Sequence, residues 1–330
     1  MSNKVSIAQA ARIMSTAYKN RKRNGKPFKV LLLGPPGVAK TAAVRQLGQS
    51  VGMPVVEWLL SNKAPEHITG YPYLDNGVMK YARPVFWPTE QCVLLVDELG
   101  QCPIQVQNVA MPVVYEGTNG VHTLPEGTIT IACANRAEDR AGSTVLTTAL
   151  RRRFDIIVEV EPTKAEWLDW AKANNVNPFV VAWVESNLNT VLDFDPKSKE
   201  GYLAPATLEQ AGDQVDMYNN DCNNPDLAVT LHGTLGGDYA SKLLAFMETY
   251  DALPSYDDIR TSPETAAVCP EHISAVASML AGNARYVHGA ALVRYMMRYT
   301  PEAQARLVTA LSEAVRQHPE VSALAETLGL

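Results

Sequence analysis

Four short stretches of this chain carry side chains that together suit phosphate chemistry. The first is "GPPGVAKT", Gly34 to Thr41. It follows the apolar run "FKVLLL" and precedes "AAVRQLG", a strand and then a helix, which is the context a phosphate-binding loop requires. Gly34, Pro35, Pro36, Gly37, Val38 and Ala39 would wrap the phosphates. Lys40, Thr41 and Ala42 would open the helix, whose N-terminal partial charge favours anions. Lys40 would reach the β- and γ-phosphates, and the Thr41 hydroxyl would ligate Mg²⁺.

One position departs from the G-x-x-x-x-G-K-[ST] pattern: Ala39 stands where the second glycine belongs. Glycine is compulsory only at positive φ or where a Cβ would strike the ligand. Ala39 is expected at the helix start in a right-handed conformation, its methyl turned from the phosphates, so that binding survives.

The second stretch, "VLLVDELG", sets Asp97 and Glu98 after four apolar residues, at the C-terminal end of a buried strand. Ligands of open parallel sheets bind at that edge. Asp97 would hold Mg²⁺ through its water shell, and Glu98 would orient and polarise a water aimed at the γ-phosphate. Third, "IACANRAE" leaves Asn135 at the end of another buried strand, as a turn cap or as a neutral amide for the γ-phosphate or the water. The fourth, "TALRRRFD", places Arg151, Arg152 and Arg153 before an apolar run. They form either a solvated edge or an arginine finger presented to a neighbouring subunit's nucleotide.

The elements that must position these groups alternate. Strands are expected at "FKVLLLG", "MPVVEWLL", "QCVLLVDE", "TITIACAN" and "FDIIVEV", with helical stretches between most of them, which implies a parallel sheet covered by helices. Two Asn-Gly pairs, Asn76-Gly77 and Asn119-Gly120, predict hairpins inserted into this rhythm. Residues 5–20 have the spacing of a one-faced helix, followed by the basic turn "KNRKRNGKP". After about Glu161 helical stretches follow one another, from "KAEWLDWAKANN" to "PEAQARLVTALSEAVRQ", with the loop "NNDCNNPD" separating a first group from a second.

Composition bounds the rest. The 330 residues are 46% hydrophobic with a net charge of −6, a globular balance that argues against a coat for nucleic acid. Cys92, Cys102, Cys133, Cys222 and Cys269 form no C-x-x-C pair and read as buried thiols in a reducing compartment. With no signal peptide and no run long enough for a membrane span, a cytoplasmic protein is expected.

In order and spacing, "GPPGVAKT", "PEHITGYP", "LLVDELGQCPIQVQNVAMPVVYEG", "LPEGTITIACANR" and "LRRRFD" resemble the AAA+ ATPases, and among them the MoxR-like group with inserted hairpins. The resemblance covers roughly residues 28–215. It implies an α/β P-loop core with a five-stranded parallel sheet (28–160), after an N-terminal helix and linker (1–27). A helical lid (161–225) would follow, and outside the resemblance the helical pattern continues as a C-terminal extension (226–330).

Several roles follow from the resemblance alone. Lys40 and Thr41 belong to the first nucleotide motif, Asp97 and Glu98 to the second, and Asn135 is the first sensor. Arg153 is the best match for the finger, with Arg152 the substitute. Alanine before the lysine is common in that group. The cofactors would be ATP or ADP with Mg²⁺. The chain would form a homo-oligomeric ring, a hexamer, whose pore both hairpins face. It would remodel a protein partner, such as one with a von Willebrand factor A domain, and Tyr71, Tyr73 and Tyr81 would either grip that polypeptide or pack the hairpin onto its neighbours.

The lid motif departs from the family. "YLAPATLEQ" has Ala206 where an arginine normally senses the γ-phosphate. Either another arginine substitutes, with Arg285, Arg294 and Arg298 available, or the lid couples weakly to hydrolysis. Two other functions remain open on the residues: a nucleic-acid motor, for which Lys80 and Arg83 are a thin basis, and a nucleotide-switched scaffold without catalysis.

Overall fold

The computed structural model describes residues 4–20, 25–139, 146, 148–251, 253–270 and 273–330. The chain divides into two units, residues 1–167 with 192–207, and residues 168–191 with 208–330.

The first unit is built on a parallel six-stranded sheet. Its strands are β1 (Lys4–Val5), β2 (Val30–Leu33), β3 (Val55–Leu59), β6 (Val93–Asp97), β7 (Ile129–Ala134) and β8 (Ile156–Val160). They lie in the order β1-β8-β2-β7-β6-β3. Five are the strands read from the sequence. The sixth, β1, pairs Lys4 with Glu159 and Val5 with Val160. Its two residues are too few to show a period of two, and the sequence reading took Val5 into the following helix.

The strand runs are apolar without alternation because both faces of the sheet are covered. Leu31, Leu94, Val96, Ala132 and Ala134 pack into one core with Val106, Ala110 and Val113 of α4 (Ile104–Glu116). Val30, Leu32, Val93, Leu95 and Ile131 pack into the other. There they meet Met14 of α1 (Ile7–Lys19) with Val44 and Leu47 of α2 (Lys40–Val51). Since all six strands are parallel, β2, β6 and β7 deliver Gly34, Asp97 and Asn135 to the same edge.

The Asn76-Gly77 expectation holds. β4 (Pro72–Asp75) pairs antiparallel with β5 (Val78–Tyr81). Asn76 and Gly77 take φ of 50° and 78°, the double left-handed corner that a two-residue hairpin needs. At its base Gly70 has no substitute, because a Cβ there would lie 2.0 Å from the Ala82 carbonyl oxygen. Tyr71, Tyr73 and Tyr81 stay exposed (60%, 48% and 37%), so within this chain they do not pack the hairpin down.

The second Asn-Gly pair behaves differently. Only one bridge forms, between Thr118 and Thr123, and Gly120 but not Asn119 has positive φ. The Asn119 side chain instead accepts from the N–H groups of Val121 and His122 at 2.9 and 2.7 Å. It also donates, at 2.9 Å, to the carbonyl of Ile68 in α3 (Pro65–Thr69). A self-bonding asparagine of this kind makes a compact loop where the sequence pattern predicts a hairpin.

α1 is anchored from far along the chain. Its cap Ser6 donates to Glu166 Oε1 at 2.6 Å, and the Ala8 and Ile7 N–H groups donate to the same carboxylate at 2.9 and 3.3 Å. Glu166 lies on α6 (Lys164–Ala173).

The second unit is helical. Its members include α7 (Pro178–Asn187), most of α8 (Pro205–Met217) and a C-terminal group around Val276, Leu292, Tyr295, Leu307 and Val321. Asn177 caps α7 by accepting from the Phe179 N–H and donates to Asp216 and Asn220. The run "PEAQARLVTALSEAVRQ", read as one helix, breaks at Leu311–Ser312 into Pro301–Ala310 and Glu313–Arg316. Among the described residues no helix is long and apolar enough to cross a membrane. The five cysteines are buried.

Burial raises the Glu166 pKa, but the bonds from Ser6, Ala8 and Thr163 outweigh it and hold the carboxyl below its ordinary 4.5. A depressed folded-state value contributes stability that is present above the unfolded pKa and lost as pH falls through the folded one. Glu166→Gln is therefore expected to lower stability at pH 7 by about 1 kcal/mol. It should also flatten the acid limb of a urea-midpoint-versus-pH curve. An unchanged acid limb would contradict this anchor.

Candidate functional site

Lys40, the first residue of α2, is buried to 9% exposure. Its Nζ donates to the Gly34 and Pro35 carbonyls, both at 2.8 Å, and to Asn135 Oδ1 at 3.1 Å. Burial holds its pKa below the ordinary lysine value, with Cys133, Asp97 and Asp139 pulling the other way. Thr41 Oγ1 donates to Asp97 Oδ2 at 2.6 Å. Thus Lys40 touches the Asn135 amide, and Thr41 touches the Asp97 carboxylate.

Glu98 follows with φ of 55°, left-handed and uncommon for a residue with a side chain. Its N–H donates to Asp97 Oδ1 at 2.8 Å, and its carbonyl accepts from the Gln101 N–H at 2.9 Å. The Leu99 N–H then bonds the Cys133 carbonyl at 3.2 Å, tying the loop after β6 to β7. Backbone strain of this kind is held by the surrounding structure and clusters at functional sites. Among the described residues the Glu98 carboxylate has no hydrogen-bond or ion-pair partner.

Ala39 overturns the expectation of a right-handed helix start. Its φ and ψ are 68° and 25°, fully left-handed, although its carbonyl still accepts the first helical bond from the Ala43 N–H. The loop must reverse direction there so that Lys40 can fold back beneath it. A glycine would do this without cost, whereas alanine pays roughly 1–2 kcal/mol for its Cβ. The missing glycine is thus tolerated as strain.

The segment that carries Ala206 closes over the loop. The Ala206 N–H donates to the Gly37 carbonyl at 3.1 Å. A Cβ on Gly37 would come within 3.2 Å of the Ala204 methyl. In the second unit Arg298 bonds the Pro263 and Ala266 carbonyls, Arg294 pairs with Glu264, and Arg285 bonds the Ala284 carbonyl.

The arginine edge is exposed, at Arg151, Arg152 and Arg153 alike. They lie at the end of α5 (Thr148–Arg151) and in the turn before β8. The Arg153 guanidinium carbon sits 4.2 Å from the centroid of the Tyr115 ring.

Sequence reasoning missed a cluster next to Asn135. Arg136 Nη2 pairs with Asp139 at 2.7 Å and Nη1 with Glu159 at 2.7 Å, and the Asp139 side chain is 1% exposed. These bonds, Asp139 first, raise the Arg136 pKa above its already high value. The cluster fastens the loop after β7 to β8 and so fixes where Asn135 leaves the sheet. Its partners lie 3 and 23 residues away. The Asp139 spacing was visible in the sequence, but nothing there marked it as buried.

The donor set fits a magnesium nucleotide. A buried ammonium lies under the glycine-bearing loop, and a hydroxyl and a carboxylate adjoin at its flank. The site also holds a neutral amide and a carboxylate free to meet water. Among the described residues no group of three or more His, Cys, Asp or Glu offers another metal site.

Residues 30–162 match the family model described as "ATPase family associated with various cellular activities (AAA)". That segment spans β2 to β8 and carries Lys40, Thr41, Asp97, Glu98 and Asn135. No curated protein matches the chain. Among solved structures, the Thermotoga maritima RuvB Holliday junction branch migration motor is similar at 15% identity and TM-score 0.41, over 98% of this chain and 87% of that one. A mutant of RuvB from the same organism is similar at 16% identity and TM-score 0.43, over 74% of this chain and 69% of that one.

Ala39→Gly is expected to stabilise the protein by up to about 1 kcal/mol, read from a denaturant midpoint at constant slope. At a right-handed position the same change would cost a similar amount, so the sign reports the backbone conformation. Arg136→Ala strands the buried Asp139 charge and is expected to cost about 3 kcal/mol. A loss within the range of an exposed surface substitution would show that Asp139 is satisfied without it.

Proposed function

We propose that this chain is an ATPase of the MoxR-like branch of the AAA+ proteins. It would work as a cytoplasmic ring of identical subunits, six in number, that remodels or assembles a protein partner. The observation carrying the reading is the convergence of Lys40, Thr41, Asp97, Glu98 and Asn135 on one edge of the sheet.

In this reading the Lys40 ammonium gives up its loop carbonyls for the β- and γ-phosphate oxygens, which better compensate its burial. Thr41 Oγ1 and the Asp97 carboxylate would hold Mg²⁺, which when bound would neutralise charge on the transferred phosphoryl group. Asn135, its oxygen engaged by Lys40, keeps both amide N–H donors for a phosphate oxygen or the attacking water. The Glu98 carboxylate accepts a hydrogen bond from that water and orients it. Catalysis here is positioning plus electrostatics, and an arginine from a neighbouring subunit, Arg153 or Arg152, completes it. A water-orienting carboxylate favours hydrolysis over a switch that only binds nucleotide.

The hairpin supports a polypeptide as the thing acted on. Besides its tyrosines it exposes Leu74, Val78 and Met79. Lys80 is paired with Asp75, which leaves the exposed Arg83 as the unpaired one, among the described residues, of the two cations read for a nucleic-acid backbone. Of the basic stretch between the first helix and β2, residues 21–24 lie outside the described residues. A von Willebrand factor A domain protein is one partner of the expected kind.

Glu98→Gln is expected to bind ATP with wild-type affinity and to lose turnover by about 10²-fold or more. Lys40→Ala is expected to lose ATP affinity itself. Fluorescent-nucleotide binding and phosphate release measure the two separately. Equal turnover in wild type and Glu98→Gln would remove Glu98 from the mechanism, and unchanged affinity in Lys40→Ala would refute the phosphate site.

A further inference from the structure

Arg153 differs from its two neighbours in having a platform. Its backbone N–H donates to the Leu150 carbonyl at 3.1 Å, and Phe154 behind it is buried, so the main chain is anchored. Its guanidinium lies over the ring of Tyr115 in the last turn of α4. That ring is itself held. Lys29 Nζ donates to the Tyr115 carbonyl oxygen and sits 5.3 Å from the ring centroid. The Lys29 N–H in turn donates to Asp155 Oδ2 at 2.9 Å, two residues beyond Arg153. Tyr115 and the arginine turn are thereby built into one local frame. Arg152 is exposed and has no ring partner among the described residues.

Stacking suits an arginine that must later meet a phosphate. The ring covers the face of the guanidinium, whose five N–H donors lie in its plane; one is drawn to the Tyr115 hydroxyl, and the face contact occupies none of the others. A long side chain otherwise samples many rotamers, and fixing it at the moment of reaction costs entropy. The platform removes part of that cost beforehand.

We infer that Tyr115 is a positioning residue that pre-orients Arg153 toward the phosphates of a nucleotide held by a neighbouring subunit. This rests on the ATPase reading above and selects Arg153 over Arg152 as the arginine supplied across subunits.

The test compares Tyr115→Ala, Tyr115→Phe, Arg152→Ala, Arg153→Ala and the Tyr115→Ala/Arg153→Ala double variant, each in the full chain. Arg153→Ala is expected to lower kcat by about 10³-fold. Tyr115→Ala should lower kcat about tenfold with KM nearly unchanged. Tyr115→Phe keeps the ring and should stay near wild type. The double variant should be no slower than Arg153→Ala alone. Independently of turnover, the side-chain proton resonances of Arg153, assigned through Arg153→Lys, should show an upfield ring-current shift. That shift should persist in Tyr115→Phe and vanish in Tyr115→Ala. Should Tyr115→Ala not fold, Tyr115→Leu fills the volume without an aromatic face and takes its place.

Wild-type turnover in Tyr115→Ala beside a crippled Arg153→Ala overturns this inference and leaves the ATPase reading standing. So do additive losses in the double variant, which mark a merely structural tyrosine, and so does a missing ring-current shift. If Arg152→Ala is the crippled variant and Arg153→Ala is not, the assignment of Arg153 fails. A wild-type chain without ATP turnover sinks both readings.

Discussion

The rest of the site is arranged around one buried ammonium group. Lys40 Nζ lies beneath its own loop, held by two carbonyl oxygens and one amide oxygen. A charge taken out of water costs several kcal/mol unless it is compensated, and here burial drives its pKa down. Dipoles compensate it in part, and a phosphate would do so more fully. That imbalance would favour an anion brought within reach of the ammonium. It also explains why the loop reverses so sharply at Ala39, since only the reversal brings the lysine back under the glycine-bearing turn.

The local conformations that serve this charge are strained. Ala39 and Glu98 both carry positive φ, and both lie in loops leaving the C-terminal edge of the sheet. Each costs on the order of 1–3 kcal/mol, and such strain persists only where the surroundings over-determine it. Here the surroundings are a sheet buried on both faces, with β2 between β7 and β8. The same rigidity fixes Asn135 through Arg136, Asp139 and Glu159, and seats the arginine turn beside Tyr115 and Lys29. Rigid strand ends and strained exits are one arrangement: the sheet supplies the packing energy, and the exits place the chemistry.

The Asn-Gly pairs show how local signals succeed or fail. Asn76-Gly77 sits between two short runs with no competing partner, so the turn's intrinsic preference decides and the hairpin forms. At Asn119-Gly120 the asparagine side chain finds better bonds, within its loop and to Ile68, and the left-handed corner shifts to the glycine alone. β1 escaped notice for the opposite reason. It is a strand only because β8 offers an unpaired edge, and a two-residue segment has no pattern of its own.

Residue types and spacing alone determined the alternation of strand and helix, the glycine-bearing turn from β2 into α2, and the placing of Asp97, Glu98 and Asn135 at strand ends. These follow from short-range rules: apolar runs bury, glycine and proline punctuate, and the exit of a buried parallel strand lies at the ligand edge. Tertiary structure decided the sixth strand, the left-handed turn at Ala39, the Arg136–Asp139–Glu159 cluster and the stacking of Arg153 on Tyr115. Each of these depends on which distant segments meet, or on how a loop closes against its neighbours. Burial of a charge, the strain a position will bear and the face a ring presents become defined only once the chain has packed.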